Sequence, residues 1–214
     1  MSLTNNHNPQ PPPMSPEFAK ILAAAAELFM KYGTRSVSMA DISKHLGMSK
    51  KTLYTHITNK DDLILAFVDG YLQKEQTEVA EIIKNAKNAL DELIQIMRNV
   101  QRTMQNMNPC LLLDFLKYHR EGWKMIQEFR QDFVYHHVYH NLQRGVAEGI
   151  YRAELNTAII SKIYVQALPI FADPAEFQLH NYSLVELHTE YIKYHIHGIL
   201  STEGLKLLAD YSFA

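Results

Sequence analysis

Between Gly47 and Asp62 the chain reads GMSKKTLYTHITNKDD. Two adjacent lysines, Lys50 and Lys51, stand within ten residues of Thr52, Tyr54, Thr55, His56 and Lys60. Ammonium groups neutralise phosphate or donate to guanine. Threonine meets polar base edges or a thymine methyl, and tyrosine and histidine donate to phosphate oxygens. The chemistry on offer is therefore recognition of a polyanion, not covalent catalysis. A second candidate is the histidine-rich VYHHVYHNL segment. His136 and His140 are four residues apart and share a helix face, where two rings can hold a metal. His119 and His137 are possible additions. No carboxylate or thiol ligand accompanies them at matching spacing, and HExxH is absent, so surface or pocket histidines are the reading and a metal site is not assigned.

Polyanion recognition requires the cations to be gathered on one face. Up to residue 60 there are seven cations (Lys20, Lys31, Arg35, Lys44, Lys50, Lys51, Lys60) and three anions (Glu17, Glu27, Asp41), a net of +4. Of 21 cations and 23 anions in all, 14 and 20 remain beyond residue 60, a net of −6. The pattern is a basic head on an acidic body. The apolar content of 47% allows a proper core, and no apolar run is long enough to span a membrane. A single cysteine, Cys110, excludes an intrachain disulfide and fits a cytoplasmic setting.

The elements that position these residues are helices. After Pro16 proline is scarce and β-branched alternation is lacking. Ser15 caps a first helix, Pro16 and Glu17 suit its first turn, and Gly33 stops it. Ser38 caps a second helix, closed by Gly47. Ser49 caps a third of about two turns, anchored by Leu53, and Asn59 caps a fourth that runs to about residue 83. With Leu53 and Ile57 turned inward at i and i+4, Lys50, Lys51, Thr52, Tyr54, Thr55 and His56 face outward. Two short helices joined by a glycine turn make a helix-turn-helix, whose second helix enters the major groove. Later breaks at Asn88, Asn108-Pro109, Glu121-Gly122, Gly149 to Asn156, Asp173-Pro174 and Thr202 to Gly204 predict helices near 88–107, 109–119, 122–148, 156–171, 182–200 and 204–212. The fold class is all-α, with about nine or ten helices. Three divisions follow: a flexible tail at 1–14, a DNA-binding domain at 15–71, and a larger helical domain at 72–214.

The stretch SVSMADISKHLGMSKKTLYTHITNKDDLILAFVDGY resembles the DNA-binding domain of the TetR family of transcriptional regulators. The likeness covers roughly residues 16 to 71. It carries the helix ending in KYGT, the Ala-Asp-Ile of helix two, the Gly-x-Ser turn, Leu-Tyr-x-His, and the Lys-Asp-Asp-Leu that opens helix four. Where the family usually has phenylalanine after the histidine, this chain has Ile57. The resemblance implies a phosphate contact for Tyr54, His56 and Lys60. It implies bases or nearby phosphates for Lys50, Lys51 and Thr55, backbone contact for Ser38, and a place at the same interface for Ser49 and Thr52. It also implies a homodimer, an operator in double-stranded DNA, and repression relieved by a small apolar or amphipathic effector, with no cofactor and no enzymatic activity. Two apolar helices resemble the family's dimer face, with Ile160, Ile163, Tyr164, Leu184, Leu187 and Tyr191. The intervening Met- and aromatic-rich stretch corresponds to the family's ligand cavity, with Met97, Met104, Phe115, Tyr118, Trp123, Phe133 and His137. The alternative is a helical haem- or metal-binding protein, or an enzyme, built on the histidine-rich helices.

Overall fold

The computed structural model describes residues 15–172 and 181–211, and all regular structure among them is helical. The expected tail at 1–14 and the break at Asp173-Pro174 lie outside the described residues.

Serine and asparagine caps set the start of most helices. Ser15 Oγ accepts from Phe18 N at 3.1 Å and opens α1 (Pro16–Tyr32), which Gly33 ends at φ 80°. Ser38 and Asp41 form a reciprocal capping box at α2 (Met39–His45). Gly47, at φ 65°, makes the left-handed turn between α2 and α3 (Lys50–Tyr54), a conformation that side chains resist. Ser49 caps α3, and Asn59 caps the 26-residue α4 (Lys60–Asn85). Ile21, Phe29, Ile42, Leu53 and Leu63 are fully buried and close the head around one core. Ile57 is buried there too.

The body follows as α5 (Ala89–Asn106), α6 (Cys110–Tyr118), α7 (Arg120–Phe129), α8 (Tyr135–Ala147), α9 (Thr157–Ala167), α10 (Leu184–Ile199) and α11 (Thr202–Leu208). Its core gathers Leu90, Ile94, Met97, Leu142, Ile192 and Ile196. Tyr151 lies at its centre, with its phenol oxygen 3.0 Å from both the Ala89 carbonyl and Asn141 Oδ1. Its ring occupies the space a side chain on Gly145 would need, which explains a glycine inside α8.

Several boundaries differ from the sequence expectation. The α6–α7 break falls at His119, not at Glu121-Gly122. His119 is non-helical at φ −126°, ψ 69°, while Gly122 is buried within α7, where an added Cβ would sit 3.1 Å from the Phe115 ring. It is a packing glycine, not a breaker. The helix expected at 122–148 begins at Arg120 and contains a π-turn, Arg130–Val134, joining α7 to α8. Past Ala167 the chain tightens into a 3₁₀ turn, Leu168–Ala172; Pro169 has no N–H to continue an α-helix. The last helix starts at Thr202, capped by Ser201, with Gly204 inside it. No helix among the described residues is long and apolar enough to cross a membrane.

Candidate nucleic-acid interface and internal cavity

α3 is five residues long and is held from one side only. Leu53 is fully buried and Ile57 nearly so, while Lys50, Lys51, Thr52, Tyr54, Thr55 and His56 are all exposed. Several hydroxyls are already engaged locally. Ser49 Oγ accepts from Thr52 N at 3.0 Å and lies 2.8 Å from Thr52 Oγ1, and Thr55 Oγ1 donates to the Thr52 carbonyl. Ser38 Oγ accepts from Asp41 N at 3.2 Å and donates to the Asp41 carboxylate at 2.6 Å. That hydroxyl, together with the Ser38 backbone N–H, holds the Asp41 carboxyl below its ordinary range. Among the described residues, Lys50, Lys51, Tyr54 and His56 have no hydrogen-bond or salt-bridge partner, and Lys50 acts on Asp41 only through its field. The exposed face of α3 is thus a rigidly capped stub carrying two uncommitted ammonium groups, a phenol and an imidazole.

Lys60 is placed differently. Its Nζ donates to the Thr34 carbonyl at 2.6 Å, and burial lowers its pKa. It ties the start of α4 to the loop after α1 and keeps two N–H protons for another acceptor. Thr34 is the hub of a junction absent from the sequence reading. Its hydroxyl donates to Asp114 Oδ2 at 3.1 Å and lies 3.0 Å from His119 Nε2. Asp114 Oδ2 also accepts from Arg35 N at 3.0 Å, and Arg35 reaches Tyr118 through a 2.7 Å hydrogen bond and a ring-face contact. His119 Nδ1 is 3.9 Å from Asp61, yet burial outweighs that carboxylate and lowers the ring's pKa. The end of α6 is therefore fastened to the head by polar contacts, beside the apolar insertion of Leu111 and Phe115 into the head core.

Behind the head lies a cavity of about 300 Å³ walled by α4, α5, α6, α7, α8, α9 and α10. Of the residues expected there, Met104, Phe115, Trp123, Phe133 and His137 line it. Met97 and Tyr118 do not. Met97 is buried in the body core, and Tyr118 is 53% exposed against Arg35. The wall also holds polar groups that the sequence reading missed: Tyr71, Glu75, Thr103, Arg130, His188 and His195. Burial raises the Glu75 carboxyl and lowers His137, His188 and His195 to about 4, so these rings are neutral. Glu92 Oε1 lies 3.4 Å from His137 Nε2. Burial dominates there as well, and this is contact between a neutral ring and a carboxylate already bonded by Asn141 and Arg144 at 2.9 Å each. A usable signal existed for one of the missed residues. Arg130 falls three residues before Phe133 and seven before His137, on the same helical stripe.

The remaining expected residues divide by exposure. On α9 and α10, Tyr164 and Leu184, both expected on a dimer face, are buried inside the chain and have little surface left for a partner. Ile160, Leu187 and Tyr191 are half-buried, and the Tyr191 hydroxyl donates to the Tyr164 carbonyl at 2.9 Å. Ile163 is 58% exposed, with Ile159 and Tyr194 exposed beside it on the same two helices. The four candidate metal-binding histidines do not converge. His119 is at the head junction, His136 is outside against Asp132, His137 faces the cavity, and His140 lies beside the tilted rings of His136 and Tyr139. Among the described residues no group of three or more metal-ligating side chains comes together.

Residues 21–67 match the model of the family described as bacterial regulatory proteins, tetR family. The HTH-type transcriptional regulator YvaF of Bacillus subtilis is 31% identical over 111 residues, 51% of this chain and 58% of that protein. The transcriptional repressor KstR2 of Mycobacterium tuberculosis is 21% identical over 150 residues, 66% of this chain and 72% of that protein. The chain spans about half the length of the first curated relatives it matches, 58% and 51%. A TetR-family regulator from Agrobacterium tumefaciens superimposes with a TM-score of 0.68 at 20% identity, covering 86% of this chain and 98% of that one. That likeness establishes the fold.

Proposed function

We propose that this chain, whose head belongs to the tetR family of bacterial regulatory proteins, is a ligand-responsive repressor that binds a palindromic operator in double-stranded DNA as a homodimer in the cytoplasm. The observation that carries the reading is the outer face of α3, where Lys50, Lys51, Tyr54 and His56 stand exposed and uncommitted on a helix fixed from behind by Leu53. Such a helix enters the major groove with cations toward phosphates and base edges. Lys60 adds a charge at the α4 N-terminus, where free N–H groups favour phosphate.

A small apolar or amphipathic effector occupies the cavity. Phe67, Val68, Leu111 and Phe115 line that cavity and also belong to the head core. An effector that displaces these side chains acts directly on the packing that orients α3. It lowers DNA affinity by as much as it prefers the displaced arrangement.

The test is a salt titration of binding to an operator selected in vitro and to scrambled duplex. Replacing Lys50 and Lys51 together by alanine is expected to weaken operator binding and lower the salt slope by about one unit per lost phosphate contact. If one of the two meets a base, an operator-specific loss on the order of 1–3 kcal/mol is added. Lys60→Ala should weaken both duplexes alike. Unchanged affinity and slope in the double variant on both duplexes would remove α3 from the interface.

A further inference from the structure

We infer that the effector cavity is built for an amphipathic acid, a molecule with an apolar body and one anionic head, and that Arg130 is the counter-charge for that head. The inference rests on the effector reading of the cavity given above.

Arg130 opens the π-turn between α7 and α8 and lines the cavity. Its guanidinium has no acidic partner among the described residues, and its Nε is buried without a hydrogen bond. Burial already lowers its pKa. A guanidinium stays charged nonetheless, so its desolvation is uncompensated within the chain. Arg144, a partly exposed arginine on α8, is instead met by Glu92 at 2.9 Å and Glu148 at 2.7 Å. The contrast is informative, because natural chains pair such groups unless something else does. π-turns of this kind recur at functional sites.

A second, independent group points the same way. His188 on α10 is 3% exposed, lines the cavity, and its Nδ1 has no hydrogen-bond partner. The other polar groups on the wall are Tyr71, Glu75, Thr103, His137, Asn141 and His195, and the rest is aromatic, aliphatic or methionine. The Glu75 carboxyl faces Asn99 Nδ2 at 3.5 Å, and its acidity is weakened by burial and by Glu78. Arg130 is the one Lys or Arg on the wall, and no acidic partner meets it among the described residues. A cationic ligand would leave Arg130 unpaired and add repulsion, and a neutral one would leave it unpaired.

The chain's single tryptophan, Trp123, lies on this wall and reports occupancy. Its fluorescence would be titrated with decanoate, decanol and decyltrimethylammonium, which share a tail and differ in the head. Decanoate should saturate at a concentration at least tenfold below that of decanol, and decyltrimethylammonium should bind most weakly. Arg130→Gln should erase the decanoate advantage and leave decanol unchanged, and Arg130→Lys should restore part of it. Equal binding of acid and alcohol to the unaltered protein, or tighter binding of the ammonium, would overturn the acid assignment while leaving the cavity an effector site. No saturable response to any of the three would remove both the assignment and the effector reading. The comparison of heads on the unaltered protein decides the matter even if an Arg130 variant does not fold.

Discussion

His188 puts an imidazole where the fold gives it almost no water and one nitrogen no partner. Its pKa of about 4 when folded, against 6.5 in the unfolded chain, has a definite sign. Between those values the unfolded state binds the extra proton. Stability is therefore fully present above pH 6.5, falls as pH drops through that window, and has lost this contribution below about 4. His188→Leu should flatten the fall of Tm across the window, measured by circular dichroism in a pH series. An unchanged slope would mean the ring is solvated. Some residue roles were readable from sequence alone. The caps Ser15, Ser38, Ser49 and Asn59 are local, and so is the outward turn of Lys50 and Lys51 once Leu53 is the anchor. Asp114 was not readable, because its partners Thr34 and Arg35 lie 80 and 79 residues away and no periodicity encodes that meeting.

At the scale of elements, α6 has the most consequential placement. One face inserts Leu111 and Phe115 into the head core, while its Asp114 holds the loop after α1. Asp114→Ala removes a buried acceptor from two donors and should cost about 3 kcal/mol. Asp114→Asn keeps an acceptor oxygen and should cost less. Urea unfolding measures both, and equal stability of all three proteins would make the junction incidental. Helix positions were legible wherever a cap or a left-handed glycine marked them, as at Gly33 and Gly47. They were misread where glycine serves packing. Gly122 and Gly204 look like breaks in the sequence but sit inside helices, against the Phe115 ring and the Ile150 carbonyl. The π-turn at Arg130–Val134 leaves no mark in the apolar pattern, since the stripe of Ile126, Phe129, Phe133 and His137 runs through it.

For the whole molecule, the apolar surface that α9 and α10 leave uncovered at Ile159, Ile163 and Tyr194 is the part of the proposed dimer face open to a partner. Paired Ile163→Glu and Tyr194→Glu changes should shift a dimer to monomer by light scattering at micromolar concentration, with the helical signal unchanged. A protein still fully dimeric would place the interface elsewhere. The all-helical order was legible from composition and caps. Which faces meet was not, because apolar periodicity does not distinguish an internal neighbour from a second copy. Leu111, Phe115 and Asp114 also bear on engineering. A head cut from this protein after α4 would strip Phe115 from Phe67 and Asp114 from Thr34, both supplied by α6. The head is thus not a transplantable cassette. A chimera that keeps the head's packing must carry α6 along or rebuild those contacts in the recipient, and its seam belongs beyond His119.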